Sequence, residues 1–160
     1  MKSAVRAEGK LTSRPVPEKN TSGSAIGVWI RFLKAYNLIV REARMRLSDY
    51  CTIAQFDILA QLSREKDGTP LTILSKRLLV TAGNLTGIID RMEKLDLVKR
   101  VPDSKDRRVT RVQLTEKGKQ LAKMVIPRHT KDIEQIFSVL AEKEVVQLKS
   151  LMDKLIHSLE

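Results

Sequence analysis

From Ser24 onward, apolar and polar positions repeat with a helical period. At about 100° per residue, Trp29, Phe32, Leu33, Tyr36, Ile39, Val40, Ala43 and Leu47 share one arc, with Arg31, Lys34, Arg41 and Arg44 opposite. This predicts a long amphipathic helix over roughly 24–48. Thr52 followed three residues later by Gln55 is a capping box, opening a helix with Phe56, Leu59 and Leu62 inward that ends at Asp67-Gly68. Thr69 as N-cap before Pro70 predicts a short helix to about Leu79, with Leu71, Leu74 and Leu78 inward. After a tight break at Val80-Thr81, Thr81 caps a helix over 82–95 whose stripe is Leu85, Ile88, Ile89, Met92 and Leu95.

The other face of that fourth helix is small and polar: Ala82, Gly83, Asn84, Thr86, Gly87 and Asp90. Two glycines in a helix cost ~1 kcal/mol each relative to Ala, so either tight helix packing or close approach of a large partner must call for them. Leu97–Val101, turn material at Pro102–Asp106 and Arg108–Leu114 then read as a charged β-hairpin. Thr115 caps a long helix with Leu121, Met124, Val125, Ile133, Ile136, Phe137 and Leu140 inward, bent near Pro127. A last helix over about 142–158 places Val145, Leu148, Met152, Leu155 and Leu159 on a seam wider than one small domain needs. Ahead of all this, residues 1–22 mix Lys, Arg, Ser, Thr, Pro and Gly without period, the pattern of a disordered basic tail.

Composition narrows the class. With 42% hydrophobic residues, seven Gly, five Pro and one Cys in 160 residues, collagen-like, disulfide-stapled and wholly disordered chains are excluded. No run approaches the roughly 18–20 apolar residues that span a bilayer, and the charged start is unlike a signal peptide, so no membrane partner and a cytoplasmic location are expected. The net charge of +11 is not spread evenly. Residues 1–48 carry +7 and residues 91–119 carry +5, whereas the remaining stretches are close to neutral. A basic block inside a folded segment is either a solvated face or an electrostatic footprint for phosphate.

The order of elements separates these readings. Two helices, a break, a helix with a small polar face and a basic hairpin form the sequence of a winged helix-turn-helix. The stretches FDILAQL, LSKRLLVTAGNLTGIIDRMEKLDLVKR and DSKDRRVTRVQLTEKG resemble the MarR family of bacterial transcriptional regulators. The wing signature is carried by Asp106, Arg108, Val112, Leu114, Thr115 and Gly118, and the resemblance covers roughly residues 25–157. It implies a mainly α fold with a small β-hairpin wing: a winged helix-turn-helix lobe over about 52–115 plus N- and C-terminal dimerisation helices over about 24–48 and 116–158. All of these fall in a single domain spanning 23–160. It further implies a homodimer on a pseudo-palindromic operator in double-stranded DNA, usually released by a small molecule.

Under that reading the Thr81 helix lies in the major groove, where Thr81, Ala82, Gly83 and Gly87 allow close approach and Asn84 and Thr86 reach base edges. Arg91 anchors phosphate. Asp106 holds the hairpin in shape, and Arg107 or, by the family pattern, Arg108 enters the minor groove. Many relatives have Gly where this chain has Asp96, a residue that still tolerates a left-handed helix end. Ala141 lacks a capping side chain, so the last helix is expected to fray or continue its predecessor.

An effector is expected between the dimer helices and the lobe, where Trp29, Phe32 and Tyr36 can stack a planar group and Arg46 and His129 can meet its charge. The class that fits is an aromatic carboxylate or a thioester of one. Plain interface packing of the aromatics is the competing reading. No cofactor or metal is expected, since two distant histidines and one cysteine cannot supply a ligand set. Cys51, just before the Thr52 cap, keeps a redox-sensing alternative in view. Enzyme motifs such as G-x-S-x-G, H-E-x-x-H and Gly-rich phosphate loops are absent, so no catalysis is expected. A non-specific architectural DNA-binding protein remains the other rival.

Overall fold

Three threonines set where the helices of the lobe begin. Thr52 accepts from the Gln55 N–H while Gln55 Oε1 accepts from the Thr52 N–H, Thr81 accepts from the Asn84 N–H, and Thr115 accepts from the Gly118 N–H. Each bond satisfies a backbone donor that the first helical turn leaves without a partner. The computed structural model describes residues 22–160, so the tail expected over 1–22 lies outside the described residues except for Ser22, where α1 begins. The elements are α1 (Ser22–Leu47), α2 (Ile53–Leu62), β1 (Thr69–Pro70), α3 (Leu71–Arg77), α4 (Ala82–Lys94), β2 (Val98–Pro102), β3 (Thr110–Leu114), α5 (Glu116–Phe137) and α6 (Glu142–Leu159). None of the described helices is long and apolar enough to cross a membrane.

The described residues divide into two units, one ending at Ala35 and the other Tyr36–Glu160. The described part of the first is helical and leaves Ile26, Val28, Trp29, Ile30, Phe32 and Leu33 exposed. In the second, Leu59 and Leu62 of α2, Leu74 of α3, Leu85, Ile89 and Met92 of α4, Val112 of β3 and Val125 of α5 form one buried core. The predicted inward faces of α2 and α4 are thus found, except that Leu95 is exposed beyond the end of α4. On α5 the buried residues are Gly118, Ala122 and Val125, and Met124, expected inward, is exposed. Pro127 lies inside α5, which continues through it to Phe137.

Two local expectations need correction. Thr69 does not cap α3. Thr69 and Pro70 instead form a short edge strand antiparallel to β3, with Thr69 opposite Val112 and Pro70 opposite Arg111, giving the sheet order β1-β3-β2. An edge position suits Pro70, which has no N–H to give to a ladder. The buried Thr69 hydroxyl has no hydrogen-bond partner there. Nor does α6 continue α5. The Glu144 carboxylate accepts the Ala141 N–H at 2.8 Å, so a reverse bond from the third helical residue starts α6 afresh without a capping side chain.

Candidate nucleic-acid interface

Helix α4 presents the residues singled out for DNA contact on the face away from the core. Leu85, Ile88, Ile89 and Met92 are buried, while Thr81, Ala82, Gly83, Asn84, Thr86 and Arg91 are exposed and Gly87 is half-buried. The glycines could have been needed for packing within the protein. A Cβ built on Gly83 meets nothing within 4 Å, and one on Gly87 meets only the tip of Arg91 at 3.8 Å. Packing in the described lobe therefore does not call for either glycine. The Thr86 hydroxyl donates to the Ala82 carbonyl at 2.9 Å, and the Asn84 side chain stands exposed.

The position of α4 is fixed from both ends. At its start, α3 ends with Leu79 in a left-handed conformation, φ 52°, while Val80 N–H donates to Ser75 O and Leu79 N–H to Lys76 O. This is the paired bonding of a helix stop that usually takes glycine. At its finish Asp96 adopts φ 57°, with Asp96 N–H on Glu93 O and Leu97 N–H on Met92 O, as expected of that residue. Arg100 of β2 ties α4 to the wing. Its guanidinium binds Asp90 at 2.7 Å and Glu93, and its N–H donates to Glu93 at 2.9 Å. Sequence reading missed Arg100, which counters the two acids that α4 carries near its polar face.

In the wing, the shaping acid is Asp103, which sequence reading also missed. Its carboxylate accepts from the Lys105 N–H at 2.7 Å, from the Asp106 N–H at 3.0 Å and from Arg111 Nε. Arg111 also donates to the Gly68 carbonyl at 2.9 Å, joining the hairpin to the turn before β1. The Arg111 bond, followed by the two backbone bonds, holds the Asp103 carboxyl down at about 2. Asp106 contributes at the tip. It accepts from the Arg108 N–H at 3.0 Å and from the Arg108 guanidinium at 3.1 Å, which lowers its own pKa. Arg108 is 89% exposed despite that contact, and Arg107 is exposed with no ion-pair partner among the described residues.

The Val-x-Leu-Thr-x-x-Gly run has a purely structural basis. Val112 and Leu114 are buried, the Thr115 hydroxyl bridges the Asp96 carbonyl and the Gly118 N–H, and a Cβ on Gly118 would sit 1.9 Å from the Leu97 carbonyl oxygen.

The residues singled out for an effector are placed as follows. Trp29 and Phe32 stack with ring centroids 6.2 Å apart in the first unit. Tyr36 is exposed. Arg46 is occupied by Glu42 at 2.9 Å, Asp132 at 3.2 Å and Gln135 at 2.8 Å. His129 packs its ring 4.2 Å from that of Phe56, and its buried Nδ1 has no partner. Cys51 is buried; desolvation and then the Asp57 charge push its thiol pKa up, opposite to what a reactive thiolate requires. No group of three potential metal ligands occurs among the described residues.

Comparison with known proteins agrees with this geometry. The MarR family model matches residues 51–110. The HTH-type transcriptional regulator MhqR of Bacillus subtilis is 33% identical over 100 residues, covering 62% of this chain and 68% of that protein. The transcriptional repressor MprA of Escherichia coli is 33% identical over 98 residues, covering 61% of this chain and 56% of that protein. The crystal structure of AbsC, a MarR family regulator from Streptomyces coelicolor, superposes with a TM-score of 0.78 at 25% identity, over 92% of this chain and 98% of that one. These relatives are regulators of transcription, not enzymes, and the present chain belongs to the MarR family of transcriptional regulators.

Proposed function

We propose that the protein is a sequence-specific DNA-binding repressor that acts as a homodimer on a pseudo-palindromic operator in double-stranded DNA. The observation that carries the reading is the exposed face of α4, whose Gly83 and Gly87 serve no packing inside the lobe. A helix entering the major groove needs such a surface, because base edges are reached only at close approach. Thr81, Ala82, Gly83 and Gly87 would form the approach surface, Asn84 and Thr86 would read bases, and Arg91 would hold phosphate. Arg108, supported at the wing tip by Asp106, would enter the minor groove, with Arg107 beside it.

Unburied apolar surface supports the proposed dimer. No residue of α6 is buried, and Val146, Leu151, Leu155 and Ile156 are exposed on it, as are the apolar residues of the first unit. Exposed apolar surface on this scale marks an association site. Replacing Leu151 and Leu155 together by Asp is expected to give monomers that no longer bind DNA, measured by analytical ultracentrifugation and gel shift.

Repression relieved by a small effector completes the proposal, and MprA being a repressor supports its first half. An aromatic carboxylate or its thioester is the expected class, since Trp29 and Phe32 already present stacked rings. Arg46 would not supply the effector's counter-charge while Glu42 and Asp132 hold it. Selection of binding sites from random DNA tests the whole reading. A regulator should prefer its site over random duplex by ~10³-fold or more, whereas a much smaller ratio would indicate an architectural protein. Titrating the selected complex with aromatic acids and their thioesters, while following Trp29 fluorescence and release, then tests the effector.

A further inference from the structure

The polar face of α4 carries an acid in line with its two glycines. Asp90 follows Gly83 by two helical turns and Gly87 by one, so the three share a single stripe, and Asp90 is exposed on it. A duplex presents one negative charge per ~1.7 Å of its axis, so an unpaired carboxylate on a surface laid against it is repelled. Here the carboxylate is paired from outside the helix. Arg100 of β2, opposite Val112 of β3, sends its guanidinium to Asp90 at 2.7 Å and to Glu93.

The two acids are held unequally. Glu93 also accepts the Arg100 N–H at 2.9 Å, a backbone bond that does not depend on the guanidinium. Asp90 has no other hydrogen-bond or ion-pair partner among the described residues. Removing the guanidinium therefore frees one carboxylate on the stripe of Gly83 and Gly87. With Arg100 27% and Asp90 50% exposed at their side chains, a pair this open to solvent contributes little to folding. Stability alone is thus a weak account of why Arg100 reaches across to α4.

We propose that Arg100 is a positioning residue for DNA binding that acts through Asp90. Its guanidinium holds and neutralises a carboxylate that would otherwise repel phosphate, and does not itself touch the duplex. The proposal rests on the reading of α4 as the DNA-facing helix. The test uses the full chain and a labelled duplex that the parent protein recovers from a random pool, with affinity measured by fluorescence anisotropy. Arg100→Met should bind at least about tenfold more weakly at ~50 mM salt, and the deficit should shrink to about threefold or less at ~300 mM, because salt screens the freed charge. Arg100→Gln keeps a donor for the two acids but not the charge, and should show the same deficit. Adding Asp90→Asn to either variant should return affinity to within about threefold of the parent at low salt. All variants should melt close to the parent. A deficit that Asp90→Asn does not relieve would overturn the proposal, making Arg100 itself a phosphate ligand or a purely structural residue. So would a deficit that is the same at both salt concentrations, or no deficit in either single variant. Failure of the underlying reading looks different: the parent would recover no duplex from the pool, and both would fall together.

Discussion

Asp103 and Arg111 are bonded across the wing hairpin, carboxylate to guanidinium Nε, and Arg111 extends the link to the Gly68 carbonyl. Asp103 is only 8% exposed and also accepts two backbone N–H groups, so the hairpin tip is organised around this one carboxylate. Because its folded pKa lies at about 2, below the ordinary value of 3.8, the ionised form favours the folded state. That contribution is present in full above about pH 4 and is lost as pH falls through about 2. The Asp103→Asn variant should therefore melt below the parent at neutral pH, and the gap should close between pH 4 and pH 2. A gap that persists unchanged at pH 2 would show that Asp103 acts by packing alone. The measurement is thermal unfolding by circular dichroism across that window.

Leu79 offers a gain in stability. It is 93% exposed and holds φ 52°, so it forfeits its side-chain burial and adopts a backbone conformation unfavourable to L-residues by roughly 1–2 kcal/mol. Glycine removes that cost and returns part of it as unfolded-state entropy, roughly 0.5–1 kcal/mol. Leu79→Gly is thus expected to stabilise the protein by about 0.5–1 kcal/mol in urea unfolding. Asp96→Gly should gain less, since Asp visits the left-handed region more readily than Leu.

The contrast between these two residues shows what was legible in the sequence. Asp96 follows an amphipathic stripe and has a side chain suited to a helix stop, so its conformation was readable locally, as were the Thr52, Thr81 and Thr115 caps. Leu79 has no such signal; its geometry is imposed by the turn between α3 and α4. Thr69-Pro70 resembles a helix start by local rules, and becomes a strand only by pairing with Arg111 and Val112 more than forty residues away. Asp103 and Arg111 were hidden for the same reason, because nothing in a charged turn tells which acid will face inward. Of the candidate interface, the α4 face was legible because its buried and exposed sides alternate with the helical period. The Arg100 clamp joins two elements and could be seen only once they were folded together.

The wing and α4 should separate into two kinds of DNA contact. Arg108 projects almost fully into solvent from a tip held by Asp106, as a residue inserted into the minor groove must. Arg108→Ala should weaken operator binding by ~1–3 kcal/mol, most where A·T-rich flanks narrow the groove, and should reduce the salt dependence by about one ion. Asn84→Ala should instead relax base preference near the middle of each half-site. Gel shifts on an operator and its single-base variants, at two salt concentrations, separate the outcomes. Uniform losses on every duplex for both variants would remove the assignment of Asn84 to base reading.

Gly87 and Gly118 should respond in opposite ways to the same added methyl group. At Gly118 the new Cβ would fall 1.9 Å from the Leu97 carbonyl oxygen, a backbone atom that cannot move aside without shifting β2 against α5. Gly118→Ala should destabilise the fold by about 1–3 kcal/mol, the usual cost of overpacking, and lose DNA binding only in proportion to unfolding. At Gly87 the Cβ would make ordinary contact with the Arg91 guanidinium, so the helix keeps its neighbours and gains the propensity of alanine. Gly87→Ala should raise stability by roughly 0.5–1 kcal/mol while lowering operator affinity, because the methyl occupies space proposed for the edge of the major groove. Urea unfolding and gel shift on the same preparation read both quantities. A variant that is more stable and binds its operator undiminished would mean that α4 does not approach DNA at Gly87, and would move the proposed contact toward Thr81 and Asn84 at the start of the helix.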